Sequence, residues 1–160
     1  MELIDVKHHS SWRYFKGHPE TRIQKTAKIY GNAEICDTAW VFDNAKVYGN
    51  ARVCGKAEVC GDAKVSGNAH VSGDAIVSGN GEIFKTEDYM VIQSPNQIPL
   101  TLHRDKEIGI RINYFDFSGT LQEYIFRHSK LKNQYFHQVM IPKYYETLKD
   151  RMTPLEEGRE

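Results

Sequence analysis

Two successive hexads, Val47-Tyr48-Gly49-Asn50-Ala51-Arg52 and Val53-Cys54-Gly55-Lys56-Ala57-Glu58, share one pattern of an aliphatic residue, a polar corner and a small residue. The aliphatic position recurs every six residues without a gap over residues 23–83. Gly, Asn or Asp fills most corners, where backbone with positive φ must be tolerated. A period of six fits neither a 3.6-residue helix nor ordinary hairpins with long strands. It predicts a solenoid in which each hexad is one short strand and one corner.

The run from Ile23 to Ile83 resembles the hexapeptide-repeat family, whose members fold as left-handed parallel β-helices. The resemblance implies triangular coils of three hexads, so that residues eighteen apart stack, and it implies a homotrimer. We therefore predict a mainly β protein, a left-handed parallel β-helix of about three coils followed by a small α+β C-terminal domain. The predicted units are an N-terminal cap (residues 1–21), the β-helix (residues 22–84) and the α+β domain (residues 85–160).

Composition limits the class of function. The chain has 21 Lys+Arg and 21 Asp+Glu, a formal net charge of zero, so we do not expect a general nucleic-acid or membrane binder. No apolar run approaches the roughly 18 residues needed to span a bilayer. The N-terminal residues 1–9 contain no apolar secretory segment, which predicts a cytoplasmic protein.

Cysteine usage points the same way. The chain has three cysteines, an odd number, and none forms a Cys-x-x-Cys pair. We expect Cys36, Cys54 and Cys60 to be small, half-buried packing residues of a reducing compartment, rather than metal ligands or nucleophiles.

One face of the predicted coils is apolar. Side chains alternate along a strand, so the residues beside each inward aliphatic point outward. On this face they include Trp40, Phe42, Cys60 and Ile76. We predict that another subunit or the terminal segments cover this patch.

A second face carries Lys28, Lys46 and Lys64 in one file, beside Tyr30 and Tyr48. Stacked lysines repel one another, so they either splay into water or bind an anion. Lysines next to aromatic rings suit a phosphorylated or nucleotide ligand. The alternative is a solvated lysine strip with its stems laid over the sheet.

The third face carries Glu34, Arg52 and His70, the single histidine of the repeat. In the acyltransferases that the repeat resembles, a histidine in a subunit groove acts as general base, and His70 is the candidate for that role. The alternative is a surface histidine at the end of a charged file. One histidine cannot supply the three that a zinc carbonic anhydrase on this scaffold needs.

The C-terminal part does not continue the repeat. Residues 89–92, 99–103 and 108–114 read as strands, with a charged turn at residues 104–107. Ser118 or Thr120 is expected to cap a first helix, and Pro142 suits the first turn of a last one. The segment Phe117-Ser118-Gly119-Thr120-Leu121-Gln122-Glu123-Tyr124 resembles the tail of short hexapeptide-repeat proteins of bacteriophages.

These patterns predict a non-catalytic oligomeric binding protein. We interpret it as a phage accessory or anti-defence protein of the host cytoplasm that sequesters a small anionic, nucleotide-like ligand or blocks a host defence enzyme. An acyl-CoA-dependent acyltransferase and a structural scaffold are the alternatives. We expect no cofactor and no metal, and reject His8 and His9 as metal ligands. The candidate ligand-binding residues are Lys46, Lys64, Tyr48, Arg52 and His70 on the coils and His103, Arg104 and Arg111 on the tail strands.

Overall fold

The N-terminal strands extend one wall of the coils. The computed structural model describes residues 2–5, 11–131 and 133–152, so His8 and His9 lie outside the described residues. Strands β1 (Leu3–Asp5), β2 (Trp12–Phe15) and β3 (His18–Gln24) form an antiparallel meander. β3 also pairs in parallel with the strand Trp40–Val41 of the coils. The meander therefore covers the open edge of this wall, whereas the strands Lys28–Ile29 and Glu34–Ile35 are edge strands of the other two walls among the described strands.

Short parallel strands build the coils. Ten two-residue strands follow β3 within the described chain: β4 (Lys28–Ile29), β5 (Glu34–Ile35), β6 (Trp40–Val41), β7 (Lys46–Val47), β8 (Arg52–Val53), β9 (Glu58–Val59), β10 (Lys64–Val65), β11 (His70–Val71), β12 (Ile76–Val77) and β13 (Glu82–Ile83). β3, β6, β9 and β12 form the first wall, β4, β7, β10 and β13 the second, and β5, β8 and β11 the third. Val47 lies opposite Val65, so the eighteen-residue register is confirmed.

The repeat fills the interior as its pattern predicts. The inward aliphatic residues from Ile23 to Ile83, and the alanines two places before them, are all at most 8% exposed.

Corner glycines allow the coils to approach closely. Gly55 has a φ of 71°, and a Cβ on it would lie 2.9 Å from the backbone nitrogen of Gly73 in the next coil. The corner therefore needs glycine both for its conformation and for its lack of a side chain.

The C-terminal part is a four-stranded antiparallel sheet with short helices. A 3₁₀ turn (Thr86–Asp88) leads into β14 (Tyr89–Gln93), β15 (Pro99–Asp105), β16 (Gly109–Tyr114) and β17 (Phe117–Gly119), which pair in that order. Helix α1 (Leu121–Arg127), a π-helical turn (Phe136–Met140) and α2 (Ile141–Arg151) follow. None of the helices within the described residues combines the length and apolar character needed to cross a bilayer.

The three predicted tail strands and both helices are confirmed, and Thr120 caps α1. Its hydroxyl accepts from the Glu123 N–H at 3.3 Å, while the Glu123 carboxylate accepts from the Thr120 N–H at 2.8 Å. The prediction that residues 104–107 form a charged turn is wrong in its first half. Arg104 and Asp105 end β15 and are buried. Their charges are compensated by ion pairs, Arg104 with Asp88 at 2.9 Å and Asp105 with Arg111 at 2.6 Å. β17 was not predicted.

The expectation that all three cysteines are free packing residues is also wrong. Cys36 and Cys54 occupy equivalent positions in adjacent coils of the third wall and form a disulfide, with Cα atoms 4.7 Å apart. Neighbouring parallel strands bring equivalent residues to about this distance, which is suitable for a disulfide. Cys60 is free and half-buried. Burial, followed by the charges of Asp43 and Glu58, raises the pKa of Cys60 to about 11.

Both terminal segments contact the apolar first wall. The Trp12 ring lies edge-on to that of Trp40, with centroids 6.0 Å apart. At the last coil, the Thr101 hydroxyl accepts from the Ile76 N–H at 3.0 Å, and the Asn113 amide donates to the Ile76 carbonyl at 2.8 Å. Trp40 nevertheless keeps 45% of its surface exposed. The division into residues 1–21, 22–84 and 85–160 stays a prediction, and β3 crosses its first boundary.

Candidate functional site

The second wall carries a file of lysines because a lysine precedes the inward aliphatic residue in three successive coils. Lys46 lies opposite Lys28 on one side and Lys64 on the other. In the fourth rung Glu82 takes the equivalent position, and its carboxylate lies 3.3 Å from the Lys64 ammonium. Within the described residues Lys28 and Lys46 form no ion pair. Their like charges, about 4.8 Å apart by rung spacing, favour an anion against the file.

A groove of about 350 Å³ runs along this lysine file. The lysines line one side of the groove. The corner residues two places before each of them or before Glu82 line the other side: Thr26, Asn44, Asp62 and Asn80. Lys106, from the turn between β15 and β16, also lines the groove. Its backbone N–H donates to the Asn80 carbonyl at 3.0 Å, so the tail is anchored at this corner. Four lysines against Asp62 and Glu82 leave the groove with a positive charge.

An aromatic pair stands on the other side of the lysine file. The rings of Tyr30 and Tyr48 are stacked, with centroids 4.9 Å apart and an interplanar angle of 5°. Tyr30 is exposed. Partial desolvation, followed by the neighbouring Tyr48, raises the pKa of Tyr30 above its ordinary 10.0. The pair offers a flat apolar surface next to a row of ammonium groups.

Arg52 and His70 lie on a different wall. They are neighbours in register on β8 and β11 of the third wall, whereas Lys46, Lys64 and Tyr48 belong to the second. Arg52 forms an exposed ion pair with Glu34 at 2.8 Å. His70 is exposed, and its backbone carbonyl accepts from the Tyr89 hydroxyl at 3.1 Å. The coil residues predicted from the sequence are therefore divided between two walls.

Of the three tail residues, His103 and Arg111 contact the last coil, and Arg104 is buried in an ion pair within the tail. His103 is fully buried: its Nε2 accepts from the Ser78 N–H at 3.2 Å, and its Nδ1 lies 2.8 Å from the Arg104 carbonyl. Arg111 donates to the Asp105 carboxylate at 2.6 Å and packs directly over Gly79. Arg104 is held by the buried ion pair with Asp88. The Asp105 carboxylate that Arg111 holds also accepts from the Asn80 N–H at 3.2 Å, next to the backbone contact that places Lys106 at the groove.

Where the tail meets the last coil, His103 and Asp105 each have a shifted pKa that favours one protonation state at pH 7. Burial lowers the pKa of His103 to about 4, although the hydrogen bond to Arg104 and the charge of Asp105 oppose the change. For Asp105, burial raises the pKa, but hydrogen bonds from Arg111 and from the N–H groups of Glu107 and Ile108 outweigh it and lower the pKa overall. A neutral imidazole and a carboxylate therefore stand side by side at pH 7.

Sequence reasoning missed part of the groove. The register of eighteen could have placed Asn44, Asp62 and Asn80 in one corner file next to the lysines. Lys106 gave no such signal, because its position depends on how the tail docks.

The fold defines the class of the protein as a parallel β-solenoid of about three turns with an antiparallel C-terminal sheet. In comparisons with known proteins, no family model, curated protein or solved structure matches the chain.

Proposed function

We propose that this chain is a non-catalytic binding protein that holds a small anionic, nucleotide-like ligand in the groove of the second wall. The observation that supports it is the convergence of Lys28, Lys46, Lys64 and Lys106 on one groove. Ammonium groups bind phosphate oxygens through charge-assisted hydrogen bonds. The Tyr30–Tyr48 pair adds a surface on which a planar base can stack, and such stacking tolerates different bases.

The proposal includes the finer classification that the repeat suggests. The hexad pattern supports a left-handed β-helix of the hexapeptide-repeat type, which implies a homotrimer, and the partly exposed Trp40 is an apolar residue that a second subunit can bury. The tail resemblance supports a phage accessory protein that acts in the host cytoplasm, either by sequestering a nucleotide-like signal or by blocking a defence enzyme.

The groove makes no use of His70, which belongs to the third wall. The acyltransferase alternative would need its acceptor substrate on that wall, and the scaffold alternative predicts that the groove binds no ligand.

Calorimetry with three probes tests the proposal. ATP, inorganic tripolyphosphate and adenosine separate the charge contribution from the stacking contribution. We expect ATP to bind most tightly, tripolyphosphate more weakly, and adenosine weakest. Raising the salt concentration should weaken the binding of both ATP and tripolyphosphate, because ions screen exposed charges.

Two variants and one control locate the binding site. Lys46→Gln should weaken ATP and tripolyphosphate about 10-fold or more, the value of a charge-assisted hydrogen bond of about 1.5 kcal/mol. Tyr48→Ala should weaken ATP and leave tripolyphosphate unchanged. Lys56→Gln removes an exposed corner lysine outside the groove and should change neither. Absence of anion binding, or equal effects of Lys46→Gln and Lys56→Gln, would contradict the proposal.

A further inference from the structure

Cys36, Asp37 and Cys54 place three potential metal ligands at one corner of the third wall. The two cysteine sulfurs, joined here in the disulfide, and a carboxylate oxygen of Asp37 lie within 4.8 Å of one another. The two cysteines are stacked on adjacent coils and are each 8% exposed, while Asp37 faces solvent. The group therefore has a protected sulfur side and an open side.

The backbone already orients the carboxylate. Asp37 adopts a φ of 56°, in a corner position where the next two coils have Gly55 and Gly73. Its Oδ2 accepts from the Gly55 N–H at 2.9 Å, so this oxygen holds the side chain in place and Oδ1 can act as a ligand. A hydrogen bond of this kind fixes the direction of a ligating group and strengthens metal binding.

We propose that Cys36, Asp37 and Cys54 form a redox-gated site for a thiophilic divalent cation such as Zn²⁺. The disulfide closes the site, because neither sulfur can then carry the negative charge that metal binding needs. Reduction opens it. The resulting set of two thiolates and one carboxylate suits zinc, and the solvent side leaves the fourth tetrahedral position for water.

The chemistry balances with a phosphine as the reductant. The disulfide, one phosphine and one water molecule give two thiols and one phosphine oxide. The metal ion then replaces the two thiol protons, which are released to solvent. Sulfurs bound to one tetrahedral zinc at ~2.3 Å stand about 3.8 Å apart, a separation that cysteines with Cα atoms 4.7 Å apart can reach.

The same register provides matched controls. Asp43 adopts a φ of 57° at another corner, and its Oδ2 accepts from the Gly61 N–H at 3.2 Å, so it reproduces the backbone role of Asp37. Ser72 occupies the next position in the file of Cys36 and Cys54. A serine is therefore compatible with this wall, and Cys54→Ser should fold.

Co²⁺ titration of the full chain is the test. The chain is reduced with a phosphine, desalted without air and titrated while the thiolate-to-cobalt charge-transfer absorption is followed. We expect one Co²⁺ per chain, displaced by Zn²⁺, and no such band before reduction. Cys54→Ser should abolish the band, and Asp37→Asn should weaken binding about 10-fold or more. Cys60→Ser and Asp43→Asn should leave both the band and the Co²⁺ affinity unchanged.

Three results would overturn the proposal. They are a reduced wild-type chain without the band, a band that persists in Cys54→Ser, and equal binding by the chain before and after reduction. Circular dichroism of each variant establishes that its coils are intact, so a lost band reports a lost ligand.

Discussion

Acid should destabilise this protein through His103. Its Nε2 accepts from the Ser78 N–H, which requires the proton to sit on Nδ1, where it is donated to the Arg104 carbonyl. A second proton at Nε2 would point one N–H group at another and bury a positive charge near Arg111. The coil–tail junction therefore excludes the imidazolium form.

The size of the effect follows from the two pKa values. The pKa of His103 is about 4 in the folded chain against an ordinary 6.5, so the unfolded chain binds more protons between these pH values. The contribution of His103 to the free energy of unfolding is constant well above pH 6.5 and falls as the pH drops through this window. A gap of about 2.5 at ~1.36 kcal/mol for each pH unit gives a loss of about 3 kcal/mol by pH 4.

Urea unfolding at several pH values between 7 and 4 measures the loss, with His103→Gln as the comparison chain. The other histidines are present in both chains, so their contribution cancels in the difference. We expect wild type to lose about 3 kcal/mol more than His103→Gln over this range. NMR titration of the His103 ring gives the folded pKa directly. A pKa of His103 near 6.5 in the folded chain would refute the reasoning, and so would equal losses of unfolding free energy in wild type and His103→Gln.

Two further predictions concern stability, and both use urea unfolding. Gly55→Ala should destabilise the chain by about 1–3 kcal/mol more than Gly73→Ala, because both corners have a positive φ but a Cβ meets the next coil only at Gly55; equal losses would show that the close approach does not matter. Asp88→Asn should cost about 3–5 kcal/mol by leaving Arg104 without its buried carboxylate. Glu34→Gln, in an exposed pair, should cost at most about 1 kcal/mol, and a similar loss in both variants would contradict the role of burial.

Periodic features of this protein could be predicted and docking contacts could not. The hexad repeat fixes which residues point inward and which stand in one file, so the core and the lysine file follow from arithmetic. The Thr120 cap follows from a local motif. Each of these depends on residues close in sequence or separated by a constant interval.

Contacts within the tail, and between the tail and the last coil, have no such interval. Arg104 and His103 look like exposed tail residues because nothing local shows that Asp88 and Ser78 come beside them. The place of Lys106 at the groove is likewise invisible in the local sequence, because it depends on how the tail docks. The Cys36–Cys54 pair is different, since its separation of eighteen matches the register. The odd number of cysteines and the absence of a short motif indicated free thiols, whereas the stacking of coils brings the two sulfurs together.

The repeating circuit makes the length of this solenoid adjustable only in steps. Deleting residues 46–63 would remove one full circuit and place Lys28 directly below Lys64, with the tail still arriving over the same wall. Deleting a single hexad would rotate everything beyond it by a third of a circuit. The lysines would then no longer lie on one wall, and Lys106 would contact a different wall. Natural or engineered length variants that keep the groove should therefore differ by whole circuits.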